Sequence, residues 1–247
     1  MPKFFVPKEN IKEDKIIINT EDVSHITRVL RMGEGDTLLL CDGKGYDYDA
    51  EITNISAKEI ICKILKSRKS NTEPNIEVTL FQGLPKASKM EYIIQKTTEL
   101  GITKIVPCKM SRCVVKLENA KAESKKIERW QKIAESAAKQ SGRGIVPEIA
   151  PVADISSAIT QLKEQDIAFA PYECEDTQSL REVLQSVDKP LKIGFIIGPE
   201  GGFDMSEIEK LHEAGIKTVT LGKRILRTET AGEAVLAMTM YEKGDIN

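Results

Sequence analysis

A chain of 247 residues with 40% hydrophobic and 30% charged side chains has the make-up of a soluble globular protein, long enough for one large or two modest domains. The start, Met1-Pro2-Lys3-Phe4-Phe5-Val6-Pro7, has no apolar leader segment and no apolar run approaches a membrane span, so a cytoplasmic protein is expected. The net charge of -2 speaks against a generally basic nucleic-acid binder, but residues 85–143 carry 14 Lys or Arg against 6 Asp or Glu and residues 144–247 carry 10 against 18, so the basic stretch suggests a local footprint for a polyanion.

Residues 1 to about 70 read as a small β-barrel. Residues 15–19 form a short β-branched run. Thr20 is placed to N-cap a short helix, with Glu21 and Asp22 in its first turn and an end near Arg31 before Gly33. Residues 37–41, 46–55 and 59–65 read as strands, with turns at 42–45 and 54–58. His25, Arg28 and Arg31 share one side of the helix and are candidate contacts to a polyanion. Residues 66–74, Lys-Ser-Arg-Lys-Ser-Asn-Thr-Glu-Pro, are polar and breaker-rich and read as a linker.

From residue 75 the period changes. Strands are expected at 76–81, 102–108, 166–170, 191–197 and 217–221. Helices are expected at 86–100 with Gly101 at its C′ position, at 124–141, at 154–165, at 178–187 and at 229–241. Another follows Asp204, which forms a capping box with Glu207. The alternation predicts a mostly parallel sheet with helices on both faces. Trp130, the single tryptophan, falls on the apolar face of the 124–141 helix and is expected in the core.

Two loops stand out, Gly198-Pro199-Glu200-Gly201-Gly202 and the segment 221–231, each at the end of a buried strand. Side by side they make a crevice at the carboxyl edge of the sheet, where open α/β sheets hold ligands. Neither G-x-G-x-x-G nor G-x-x-x-x-G-K-[ST] is present, and Asp204 competes for the helix N–H groups that a phosphate would use. A ligand without phosphate is expected. Lys86 and Lys89 open a helix against its dipole, and Arg112 and Arg143 sit on loops, where arginine suits phosphate. The five cysteines form no C-x-x-C and there are two histidines, so free thiols and no zinc site are expected.

Five motifs in order resemble the RsmE family of 16S ribosomal RNA uridine N3-methyltransferases, within the SPOUT class of knotted S-adenosylmethionine enzymes. They are the segment 25–31, residues 86–101 with Gln95-Lys96-Thr97-Thr98-Glu99-Leu100-Gly101, Arg129-Trp130 through Gln140-Ser141-Gly142-Arg143, residues 197–202, and Leu221-Gly222 through Ala231. The chain departs from the family near its start, with Lys3-Phe4-Phe5 where an arginine pair is frequent.

The resemblance implies a PUA-like RNA-binding barrel over residues 1–72 and a SPOUT α/β domain over 73–247 with a C-terminal trefoil knot. Pattern alone never yields a knot, the rare exception among folds. It further implies a homodimer with the cofactor site at the interface, and 16S rRNA of the small ribosomal subunit as partner. S-adenosylmethionine would lie against Gly198, Pro199, Glu200, Gly201, Gly202, Leu221, Gly222, Ile225, Leu226, Arg227 and Thr228, with Pro171 and Tyr172 completing the pocket. RNA would meet His25, Arg28, Arg31, Lys86, Lys89, Arg112 and Arg143. Arg227 is expected to stabilise the uridine anion, and Glu200 to accept the proton or hold the cofactor. A SPOUT enzyme acting on another RNA or on ribose 2′-oxygen, and a non-catalytic RNA-binding protein, remain alternatives.

Overall fold

The computed structural model of the chain describes residues 3–19, 22–115, 119–189, 191–243 and 246. The helix cap expected at Thr20 lies outside them. The chain divides into two units, Met1–Glu73 with Ala138–Val146, and Pro74–Ala137 with Pro147–Asn247.

In the first unit the strands are β1 (Lys3–Phe5), β2 (Ile11–Lys12), β3 (Lys15–Ile18), β4 (Thr37–Cys41), β5 (Tyr46–Ile55) and β6 (Ile60–Lys69). They form one sheet in the order β1-β4-β5-β6-β3-β2, antiparallel except where β1 runs parallel to β4. Alternate residues Ile16 and Ile18, Leu38 and Leu40, Ala50 and Ile52, and Ile60 and Cys62 are buried together, the period-2 signature of a sheet with one inner face. The β5–β6 register shifts at Asp49/Ala50 and at Ile52/Asn54, irregularities that bend and twist a strand pair. Residues 66–69, expected as linker, are the end of β6: their polar side chains reflect an exposed strand, and Arg68 is ion-paired to Asp49 on β5.

The expected helix ending near Arg31 is also different. A single turn, α1 (Asp22–Ser24), widens into a π-helical turn over His25–Val29, and Arg31 has φ 56°. Widening lets both Val23 and Ile26 face the core. His25, Arg28 and Arg31 are exposed but do not follow α-helical spacing, and the His25 ring meets Phe4 edge-on at 5.9 Å.

A strip of later sequence completes this unit. The Gly45 N–H donates to the Gly144 carbonyl at 3.0 Å and the Val146 N–H to the Gly43 carbonyl at 3.1 Å, while Ala138 and Val146 pack with Phe5 and Cys41. Glu73 closes the seam: its carboxylate accepts from Arg143 Nη2 at 2.7 Å, from the Gly144 N–H at 2.6 Å and from the Ile145 N–H at 3.0 Å. A Cβ on Gly144 would stand 2.2 Å from that of Ser70, so only glycine fits. Arg143 is 3% exposed, which overturns its expected place on an RNA-gripping loop: its charge is engaged inside the protein.

The second unit holds β7 (Glu77–Gly83), β8 (Lys104–Lys109), β9 (Glu148–Ile149), β10 (Ala153–Asp154), β11 (Ile167–Pro171), β12 (Lys192–Ile197) and β13 (Lys217–Val219), all parallel. Their order is β10-β8-β7-β12-β11-β13, with β9 beside β8. From β7 the chain moves outward through β8, then crosses to the other side, so adjacent β7 and β12 flank the point where strand order reverses. Both are buried runs, with Val78, Leu80 and Phe81 packed beside Ile193, Phe195 and Ile196.

The helices are α2 (Lys89–Glu99), α3 (Ala120–Ser141), α4 (Ile155–Leu162), α5 (Leu180–Gln185), α6 (Met205–Glu213) and α7 (Thr228–Glu242). Gly101 (φ 96°) follows α2 as expected, and α6 carries the Asp204–Glu207 capping box. Ala87 has φ 54°, so α2 starts at Lys89 and Lys86 belongs to the preceding loop. Trp130 is buried. Burial raises the thiols of Cys41 to about 12 and Cys62 to about 11, which keeps both protonated as core side chains. Among the described residues no helix is long and apolar enough to cross a membrane.

Candidate functional site

The site stands at the carboxyl edge of the parallel sheet. Gly198 follows β12, and the loop turns so sharply that a Cβ on Gly83, at the end of β7, would lie 2.6 Å from the Pro199 nitrogen. Two neighbouring strand ends touch backbone to backbone, which fixes Pro199 and Glu200. From below, Gln82 Nε2 donates to Thr228 Oγ1 at 2.9 Å and to the Gly83 carbonyl at 3.0 Å, and Thr228 Oγ1 donates to the Gly198 carbonyl at 2.7 Å. Gln82, Thr228 and Gly198 are buried, so this chain ties the start of α7 to the first glycine loop in a water-poor setting. Thr228, expected to face the cofactor, lines the cavity while its hydroxyl is committed to the fold. Gln82 was not among the expected residues; a glutamine in an otherwise apolar central strand was the available signal.

Thr228→Val keeps the shape and removes the hydroxyl, leaving the Gly198 carbonyl without its donor. The expected loss is about 1–3 kcal/mol of stability. It is read as a lowered urea midpoint together with weaker cofactor binding. An unchanged midpoint would show that the tie contributes nothing.

Two cavities open over these loops. One, about 380 Å³, is lined by Gly198, Pro199, Glu200 and Gly202 on one side and by Ile225, Leu226, Arg227 and Thr228 on the other, with Lys89 and Pro171. The second, about 390 Å³, is walled by Tyr172, Glu175 and Asp176 and by Leu221, Gly222, Lys223 and Arg224. Pro171, Glu173, Ile225, Leu226 and Ala231 line both, so the two adjoin. Every expected cofactor residue except Gly201 therefore faces one or the other. Gly201 lies against Arg112, whose Nη1 donates to its carbonyl at 3.1 Å and whose Cβ would stand 3.0 Å from a Cβ placed there.

The charges around the first cavity are organised by pairing. Lys89 Nζ lies 3.2 Å from Glu200 and 3.1 Å from Glu229. Hydrogen bonds to Glu229 and then Glu200 raise the Lys89 pKa. Burial alone would raise the Glu200 carboxyl, but the Lys86 N–H at 3.0 Å, its own N–H and Lys89 outweigh it, and its pKa is lowered. Glu200 is thus an oriented carboxylate.

Arg112 pairs with Asp204 at 3.6 Å. Lys89 and Arg112, expected to meet RNA, are held by carboxylates far along the chain, while the Lys86 side chain stays exposed. Arg227 precedes α7, is exposed, and among the described residues has no side-chain partner.

The wall of the second cavity is held by Glu175. Its carboxylate accepts from Thr218 Oγ1 at 2.6 Å, from Thr177 Oγ1 at 2.7 Å and from the Gln178 N–H at 3.1 Å, which keeps its pKa at about 2. No described group of His, Cys, Asp and Glu has the arrangement of a metal site. Two joined cavities with glycine backbone on one side, apolar side chains between and carboxylates at the rim suit a flat, phosphate-free, cationic ligand.

The chain matches the RNA methyltransferase domain family over residues 72–240 and the RNA methyltransferase PUA domain family over residues 18–65. It is 36% identical to the ribosomal RNA small subunit methyltransferase E of Bacillus subtilis (strain 168), over 98% of this chain and 97% of that protein. It is 31% identical to the protein of the same name in Synechocystis sp., over 95% of this chain and 76% of that one. The crystal structure of a ribosomal RNA small subunit methyltransferase E from Neisseria gonorrhoeae, bound to S-adenosyl methionine, superimposes with a TM-score of 0.86 at 32% identity, covering 100% of both chains.

Proposed function

This chain belongs to the ribosomal RNA small subunit methyltransferase E family of RNA methyltransferases, and from that premise we propose that it methylates N3 of a uridine in 16S rRNA with S-adenosylmethionine as donor. The observation that carries the reading is the pair of joined cavities, lined by glycine loops and rimmed by Glu173, Glu175 and Glu200. Bound there, S-adenosylmethionine supplies an electrophilic methyl group on a sulfonium. Backbone groups of Gly198, Pro199, Glu200, Gly202, Leu221 and Gly222 would hold its adenine, and the carboxylates would suit its cationic end. Pro171, Ile225 and Leu226 stand where the two cavities meet, and Tyr172 lines the second.

Uridine N3 is nucleophilic only after its proton passes to water, and Arg227 is assigned to stabilise the anion left behind. Glu200, with its lowered pKa, is a weak base near neutrality and is assigned to hold the cofactor in place. Orientation of two bound reactants contributes much of the rate.

The chain is read as a PUA-like RNA-binding barrel over 1–72 and a knotted SPOUT domain over 73–247. The family match at 18–65 and the bulged sheet of the first unit support the barrel; the match to the RNA methyltransferase domain family over 72–240 supports the SPOUT domain. A cytoplasmic homodimer completes the reading. It draws support from α7, which buries Ala231, Val235, Leu236 and Met240 yet leaves Met238 and Tyr241 41% and 67% exposed, and from Ile225, 85% exposed at the cavity mouth.

The test is transfer of labelled methyl to small ribosomal subunits from cells lacking the enzyme, followed by digestion to nucleosides. Label in N3-methyluridine is expected. Label in a different nucleoside would overturn the assigned base, and no label in any RNA would overturn the reaction.

A further inference from the structure

We infer that one face of α3 is a docking track for the sugar–phosphate backbone of the substrate RNA, with Lys121, Lys125 and Lys132 as the phosphate contacts. The inference rests on the RNA methyltransferase reading and says where, beyond the cofactor loops, the RNA is gripped.

It starts from the basic stretch, 14 Lys or Arg against 6 acids over residues 85–143 in a chain of net charge -2. The structure shows which of those charges are free. Lys89 is held by Glu200 and Glu229, Arg112 by Asp204 and Arg143 by Glu73, so three cations expected to meet RNA are already engaged. Lys121, Lys125 and Lys132 are exposed and, among the described residues, have no ion pair or hydrogen bond through their side chains.

They fall at i, i+4 and i+11 of a 22-residue helix, within one narrow arc of its surface. At 1.5 Å per residue they span about 16 Å, room for several phosphates of one strand. On the same arc a groove of about 410 Å³ is lined by Lys125, Glu128, Arg129, Lys132, Ile133 and Ser136. Glu91 holds Arg129 at 2.8 Å, which fixes one wall, and Ile133 gives the floor an apolar surface for a ribose or base edge. Glu128 is the one acid in the groove, and Ser124 Oγ donates to it at 3.2 Å. A row of free lysines over a partly apolar groove is the arrangement of an RNA backbone site; α3 does not touch the cofactor cavities through these residues.

The experiment compares the full chain with the triple variant Lys121→Gln/Lys125→Gln/Lys132→Gln and with a control, Lys163→Gln/Lys189→Gln/Lys217→Gln, which removes as much charge elsewhere. RNA affinity is measured against salt concentration, and methyl transfer at saturating RNA. The α3 variant should bind small-subunit rRNA roughly tenfold or more weakly at 100 mM salt, and the slope of log K against log salt should shrink by about 2–3. S-adenosylmethionine affinity and the rate at saturating RNA should match the unaltered chain. Unchanged RNA affinity and slope, equal losses in the control variant, or a lower rate at saturating RNA would each overturn the track. If the unaltered chain transfers no methyl to any RNA, the enzymatic reading itself fails, a result separate from any difference between variants.

Discussion

Arg227→Ala is expected to lower methyl transfer by roughly 10²–10³-fold, the typical loss on removing one positioned donor to a developing anion. S-adenosylmethionine affinity should stay within about twofold, because the role proposed for the group is on the reacting base. The structural ground is the freedom of the side chain. Arg227 lines the first cavity, is exposed, and among the described residues has no carboxylate or carbonyl holding its guanidinium, unlike Lys89 on the same rim and unlike Arg112. A cation at the start of α7 also opposes the helix dipole, a local cost with no gain inside the fold. Single-turnover transfer and calorimetric binding separate the two quantities. Equal losses in both would make Arg227 a cofactor ligand and remove it from the reaction.

Glu73→Ala is expected to cost about 3–5 kcal/mol, because it strands a buried arginine without its counter-charge. Arg143 is 3% exposed, and the same carboxylate takes the N–H groups of Gly144 and Ile145. For a chain of this length the melting temperature should fall by roughly 2–4 °C per kcal/mol. Glu73→Gln keeps most of the shape and should lose less. Replacing both partners, Glu73→Gln with Arg143→Met, should recover part of the loss, since the penalty lies in the lone charge. A melting temperature unmoved in Glu73→Ala would sink this account.

Local signals were the ones that sequence carried well. The capping box at Asp204, the positive φ at Gly101 and the apolar runs of β7 and β12 all stand where their patterns put them. Each depends on residues within a few positions of one another. The two glycine loops were legible for the same reason, and the cavities that join them follow from strand order. Pairings across the chain were not legible. Lys89 and Arg112 look like free cations in the sequence because Glu229 and Asp204 lie 140 and 92 positions away. Arg143 does stand on a loop, but no local signal shows that Glu73 folds over it and takes its charge. The end of β6 is hidden in the sequence because an exposed strand rich in Lys, Ser and Arg has the composition of a linker. The π-helical turn at His25–Val29 was out of reach as well, since the two core positions that widen it are set by the sheet beneath. β9 and β10, two residues each, have no periodicity to detect.

The strip Ala138–Val146 has a consequence for how this protein is divided. The first unit is not a contiguous stretch of sequence: its final pieces are encoded after more than sixty residues of the second. A fragment starting at Pro74 would carry Ala138, Arg143 and Val146 without the surfaces that cover them, and one ending at Glu73 would expose Phe5 and Cys41. Neither half is a module to be excised or exchanged at the apparent boundary. Recombination that grafts a different first unit onto the second has to replace the strip as well.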